Sequence, residues 1–157
     1  MRKPCAIPGL VVDNGCFENE HLRILSFPWW EEEDEMERVS ALLKSNHRTA
    51  DPRPVFWVHH APPRGARTSW NGKRDLGDGT LLEWIEAYQP TLVLSGHVHN
   101  APYYPEGSWI DRIGNTVVIN GGKQIGETPA TIEIELENGA LTWCGMEGCQ
   151  EASLWAG

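Results

Sequence analysis

Hydrophobic and polar positions along the chain fall into short runs whose periods separate strands from helices. Leu22-Arg23-Ile24-Leu25-Ser26-Phe27 has the alternation of a short strand, closed by Pro28. After Trp29-Trp30 and the acidic block Glu31 to Glu35, Met36, Val39, Leu42 and Leu43 recur at the spacing of one apolar helical face. The acidic block suits the positive end of that helix's dipole. Asn46 to Pro54 reads as a loop, and Pro54-Val55-Phe56-Trp57-Val58 as a second, buried strand. That strand must stop at His59-His60-Ala61-Pro62-Pro63, because proline cannot donate to a sheet ladder.

Beyond a polar segment from Arg64 to Gly79, Leu81, Leu82, Ile85 and Tyr88 predict a helix, capped either by Asp78 or by a Thr80-Glu83 capping box and ended by Pro90. Thr91-Leu92-Val93-Leu94 is the next buried strand, ending in Ser95-Gly96-His97-Val98-His99-Asn100. Strand, helix, strand in this order predicts a parallel crossover, in which both strands finish on the same side. His59 or His60 should then stand beside His97 and His99. Downstream the runs shorten to β segments at Ser108–Arg112, Thr116–Asn120, Thr131–Leu136 and Ala140–Trp143, with Glu137-Asn138-Gly139 as a hairpin turn. Gly121-Gly122 marks a close backbone approach, while Leu10 to Glu20 reads only as turns. The expected fold class is α/β with an α+β tendency at the C-terminus, in a single domain over 1–157.

Composition narrows the function classes. Of 157 residues, 40% are hydrophobic and 22% charged, which is globular, and no apolar run reaches the ~20 residues of a membrane span. A net charge of -9 argues against a general nucleic-acid surface or an anionic membrane as partner. The start Met1-Arg2-Lys3 is interrupted by Pro4, Pro8, Gly9 and Asp13 before any signal-peptide core develops, so a cytoplasmic location is expected. Cys5, Cys16, Cys144 and Cys149 lack a C-x-x-C spacing and are expected to be plain thiols in a reducing compartment.

The charge pattern reverses locally. Arg64, Arg67, Lys73 and Arg74 make the long loop after His60 positive, which suits an anionic substrate such as a phosphoester held by guanidinium forks and a lysine point charge. Imidazoles at the ends of two neighbouring strands supply nitrogen ligands suited to Zn, Fe or Mn.

His60-Ala61-Pro62 followed by Gly96-His97-Val98-His99 resembles the calcineurin-like metallophosphoesterase superfamily, with Gly114 to Gly122 similar to the stretch in which its members return to the sheet. The resemblance covers about Leu22 to Trp143 and concerns the C-terminal half of that family. It implies a partial β-sandwich flanked by helices, cut from a four-layer αββα domain, and a metal-dependent phosphoester hydrolase, a phosphatase or phosphodiesterase acting on a small molecule. Two divalent ions, Mn, Fe or Zn, serve the full family, and one or none is expected here. His60, His97 and His99 carry over as metal-binding and catalytic residues, with His59 as the alternative to His60. The family's Asp-x-His, Gly-Asp-x-x-Asp and Gly-Asn-His motifs have no counterpart, since Asn46-His47 lacks the glycine and follows a helix.

The chain is therefore expected to be a truncated hydrolase with an incomplete two-metal site. The alternative is a non-catalytic binding or assembly module completed by a partner that supplies the N-terminal half. A missing half should also leave apolar sheet surface bare and favour a homo-oligomer.

Overall fold

The computed structural model describes residues 13–155. A six-stranded sheet is built from β1 (Gly15–Glu18), β2 (Arg23–Ser26), β3 (Val55–Val58), β4 (Leu92–Ser95), β5 (Ile110–Ile113) and β6 (Thr116–Asn120), in the spatial order β1-β2-β3-β4-β6-β5. The central four strands are parallel and the two edge strands antiparallel. A second sheet is the antiparallel meander β7 (Thr131–Ile134), β8 (Ala140–Gly145) and β9 (Gly148–Ser153).

Two cross-strand rows show why the central runs are apolar on both sides. Leu25, Trp57, Val93 and Val118 sit in register on one face. They pack against Val39 and Leu43 of α1 (Glu33–Asn46) and Leu81 and Ile85 of α2 (Gly79–Tyr88). Ile24, Phe56, Leu92 and Val117 form the adjacent row on the other face, and there Leu141, Trp143 and Leu154 close over the sheet. Among the described residues the layers are therefore helix, sheet, sheet: the expected partial sandwich, with helices on one side. The three-stranded sheet is narrower than the six-stranded one it faces, and Phe17, Ile24 and Val58 toward the β1 edge stay half-buried or exposed.

α2 is the crossover between parallel neighbours β3 and β4. Of the two possible caps Asp78 is the one used, its Oδ1 accepting from Leu81 N at 2.7 Å. At the other end Gln89 takes the left-handed conformation, φ 47°, and Pro90 follows. α1 starts without a side-chain cap, so Glu33, Asp34 and Glu35 in its first turn supply the dipole complement.

Three features depart from the sequence expectations. β1 lies within the stretch read as turns. β9 pairs along β8, and that register sets Cys144 opposite Cys149, where the two are joined as a disulfide instead of standing as plain thiols. Their Cα atoms are 4.1 Å apart, so a hairpin turn delivers what sequence spacing did not advertise. Arg23, read simply as a strand position, is fully buried. Its Nη2 donates to the Asn46 carbonyl at 2.9 Å at the C-terminal end of α1, and Glu18 stands 3.5 Å from its Nε.

Ile85 is fully buried between α2 and the sheet. Ile85→Ala is expected to cost about 2–5 kcal/mol, read as a lower urea midpoint with an unchanged m-value.

Candidate metal-binding site

The candidate site forms where β3 and β4 end side by side. β3 delivers His59 and His60, and β4 runs through Ser95-Gly96 into His97 and His99. Two backbone hydrogen bonds continue the pairing past the strands, His59 N to Leu94 O at 3.0 Å and Gly96 N to His60 O at 2.9 Å. They hold the two histidine loops in register. As a result His97 Nδ1 lies 3.2 Å from His60 Nε2.

His97 is held in a strained conformation, with φ 59° in a non-glycine residue. Val98 N donates to Gly96 O at 2.6 Å, which makes a three-residue turn with His97 at its apex. The next side chain, Val98, is buried and anchors the turn from below. Asn120 at the end of β6 completes the support. Its buried Nδ2 donates to the Val98 carbonyl at 2.9 Å and to the Thr68 carbonyl at 3.0 Å, while its Oδ1 accepts from Gly122 N. Gly122 needs its positive φ of 69°, and a Cβ there would come within 2.9 Å of the His99 carbonyl. The close approach expected at Gly121-Gly122 is thus an approach to the histidine loop itself.

The two adjacent histidines of β3 occupy opposite environments. His60 is exposed at the end of the strand, and His59 is 2% exposed, its ring stacked on Trp30 at a centroid distance of 3.8 Å. Neither His59 ring nitrogen has a hydrogen-bond partner. Burial pushes the His59 pKa down to about 4; the Asp78 carboxylate opposes this, the neighbouring His60 adds to it, and the nearby Phe27 and Pro28 backbone offsets a little. Burial, then the charges of His60 and His99, also lowers the His97 pKa. These imidazoles are therefore kept neutral, the form that offers a lone pair.

The other expected site residues, on the segment from Arg64 to Gly79, have local contacts of their own. Arg67 is committed to the turn at Pro105 to Gly107, its Nη2 donating to the Gly107 carbonyl at 2.8 Å. Arg64 lies over Gly79 at the start of α2, with its guanidinium carbon 3.0 Å from where a Cβ on Gly79 would be. Lys73 and Arg74 are exposed beyond a turn that the Asn71 side chain closes. The segment from Arg64 to Gly79 is wrapped against the fold, with Ala66, Thr68 and Ser69 buried, so much of its polarity is structural.

Three residues with no role assigned from sequence do converge here. Asp13 helps to wall an open cleft of about 370 Å³ with Ser26, Val58, His59, His60 and Gly96. Asn120 clamps the turn, and Trp29 packs against the imidazoles. A hydrophobic position followed by Pro-Trp-Trp at a strand end was the available signal for Trp29. For Asn120 it was a polar residue closing an otherwise apolar strand. A second cleft, of about 320 Å³, opens at the far end of the strands among Arg23, Arg48 and Arg53. It holds none of the histidines at these strand ends, and its arginines are engaged by Glu18 and Asp51.

Paired imidazoles at adjacent parallel strand ends are a donor set of the kind that divalent metals take. Residues 6–101 match the family described as calcineurin-like phosphoesterase, and the chain belongs to that family of metal-dependent phosphoesterases. No curated protein matches the chain. One solved crystal structure, 19% identical, aligns over 92% of this chain and 54% of its own with a TM-score of 0.57. Another, of TT1561 of Thermus thermophilus, is 14% identical, over 91% of this chain and 58% of its own, with a TM-score of 0.46. The chain thus spans a little over half the length of the solved structures it matches.

The nitrogen separation in the histidine pair is that of a hydrogen bond between the rings, and it is also compatible with two ligands on one divalent ion. Two nitrogens bound to one ion at about 2.0–2.1 Å stand roughly 2.9–3.4 Å apart, and the observed 3.2 Å lies in that interval. The fit is partial, because among the described residues no group of three or more His, Cys, Asp or Glu side chains is gathered closely enough to hold an ion. His99 is near enough to influence His97 without completing such a group. No helix among the described residues is long and apolar enough to cross a membrane.

Two outcomes follow from this geometry. With a folded pKa of about 4 against about 6.5 unfolded, His59 takes up protons only on unfolding between those values, so stability is complete above pH 6.5 and falls toward pH 4. A loss on the order of 3 kcal/mol by pH 4, read from urea curves, is expected from this residue and should shrink in His59→Phe. Asn120→Ala leaves two buried carbonyls without their donor. It should lower stability by about 1–3 kcal/mol and broaden the His97 and His99 imidazole resonances in NMR spectra.

Proposed function

We propose that this segment supplies the histidine half of a divalent-metal phosphoesterase centre, with His60 and His97 as the paired ligands and His99 as a further one. The observation that carries the reading is the 3.2 Å approach of two imidazole nitrogens, fixed by strand register and by a strained turn. A bound divalent ion, Mn, Fe or Zn, supplies Lewis-acid polarisation of a phosphoryl oxygen. The chain's own contribution is to orient the imidazoles, with burial and then the nearby His60 and His99 disfavouring protonation of His97. Arg64, with Lys73 and Arg74 on the same loop, is the proposed source of positive charge toward a phosphoester; Arg67 steadies that loop. His59 serves by packing, because its ring is stacked and buried on Trp30.

The carboxylate ligands are proposed to come from outside the described segment. Support for this is the lack of a three-ligand group among the described residues and the fraction of the matched structures that the chain covers. A half-domain that needs a complementing N-terminal half fits the same observations and the half-bare sheet face at Phe17, Ile24 and Val58.

The test is calorimetric titration with Mn or Zn ions, alongside hydrolysis of bis-p-nitrophenyl phosphate. His60→Ala and His97→Ala are each expected to weaken metal affinity at least tenfold, and His59→Phe to leave it within a few fold. Unchanged affinity in both alanine variants would overturn the assignment.

A further inference from the structure

Trp29 is a large apolar side chain left 43% exposed beside a polar site. Its ring centroid is 5.3 Å from that of His97 and 5.5 Å from that of His60. It is also held firmly. Pro28 precedes it, and Trp30 behind it is buried, stacks on His59, meets Trp84 edge-on at 5.1 Å and donates from Nε1 to Asp78 Oδ2 at 3.0 Å. Trp29 itself lies within 12° of parallel to the His59 ring at 6.1 Å. Trp30, His59 and Trp29 are thus three nearly parallel rings, and Trp29 is the one with substantial area in solvent.

Trp30 and His59 are both buried, whereas Trp29 is not. An indole about 5 Å from both imidazoles is within reach of whatever ester substituent a phosphoryl group carries when it rests at His60 and His97. An alkyl substituent gains only area there, whereas a flat aromatic ring can stack on the exposed face. The net charge of -9 disfavours long polyanions, so the aromatic group belongs to a small molecule.

We propose that Trp29 is a specificity-determining residue that selects phosphoesters bearing a flat aromatic group, an aryl ring or a nucleobase, by stacking beside the His60–His97 pair. The proposal rests on the phosphoesterase reading of that pair, and the experiment separates the two. Inorganic phosphate, glycerol 3-phosphate, phenyl phosphate and AMP are titrated calorimetrically into the protein with Mn ions present.

Phenyl phosphate is expected to bind about tenfold tighter than glycerol 3-phosphate, the size of a typical base-on-aromatic stack. Trp29→Ala should remove that preference, bringing phenyl phosphate to the affinity of glycerol 3-phosphate, and Trp29→Phe should keep part of it. AMP tighter than phenyl phosphate would assign the subsite to nucleobases, and equal affinity to aromatic rings generally; either supports the stack. Equal binding of phenyl and glycerol phosphates, or a preference that survives Trp29→Ala, would overturn it. Failure of all four ligands to bind would sink the phosphoesterase reading first, and this inference with it.

Discussion

The parallel pairing of β3 with β4 is the constraint on which the site depends. Phe56 faces Leu92, Trp57 faces Val93 and Val58 faces Leu94, and the ladder continues one step further through His59 N to Leu94 O and Gly96 N to His60 O. A slip of one residue would send His60 to the opposite face of the sheet and separate it from His97. The hydrophobic rows on both faces oppose that slip, since it would send Trp57 and Phe56 each to the face packed for the other. Core packing and site geometry are therefore fixed by the same register.

Register alone aligns the loops without shaping them. The αL conformation at His97 is unfavourable for a non-glycine residue and persists because buried partners surround it: Val98 below, Asn120 clamping the carbonyl, and the Gly122 backbone against the His99 carbonyl. Asn120 reaches the turn from β6, the neighbour of β4 on the side away from β3. Support for the imidazoles thus comes from strands on both sides of the one that carries His97. On the helix side, Asp78 caps α2, receives Trp30 and exchanges backbone hydrogen bonds with Pro62 and Arg64. The loop after His60 is consequently as fixed as the one before His97.

What was legible in the sequence follows from burial. β2, β3, β4 and β6 are apolar on both faces and bounded by proline, glycine or asparagine, so their positions and the crossover could be read directly. β1 and β9 could not. Cys16 and Glu18 of β1 and nearly all of Gly148–Ser153 are exposed, and such strands exist because a neighbour offers a free edge, which leaves little hydrophobic pattern. The Cys144–Cys149 disulfide escaped for the same reason, since it depends on the β8–β9 register. For the site, the strand-end histidines were readable as residue types at strand ends. The burial of His59, the commitment of Arg67 to the turn at Gly107 and the arrival of Trp29 are tertiary events that local spacing does not encode.

The different fates of two adjacent histidines follow from strand geometry and from what each face of the sheet meets. His59 and His60 must point to opposite sides at the end of β3. One side is closed by Trp30 and α2, so an imidazole there has to be neutral and is stabilised by stacking. The other side is open, and there an imidazole can serve as a ligand. His-His-Ala-Pro-Pro is thus a buried anchor followed by an exposed imidazole, with prolines ending the strand. The same logic holds for Trp29 and Trp30, where the buried ring fixes the backbone and the exposed one faces the histidine pair. Two consecutive residues, one spent on position and one on contact, recur on both segments that meet at this site.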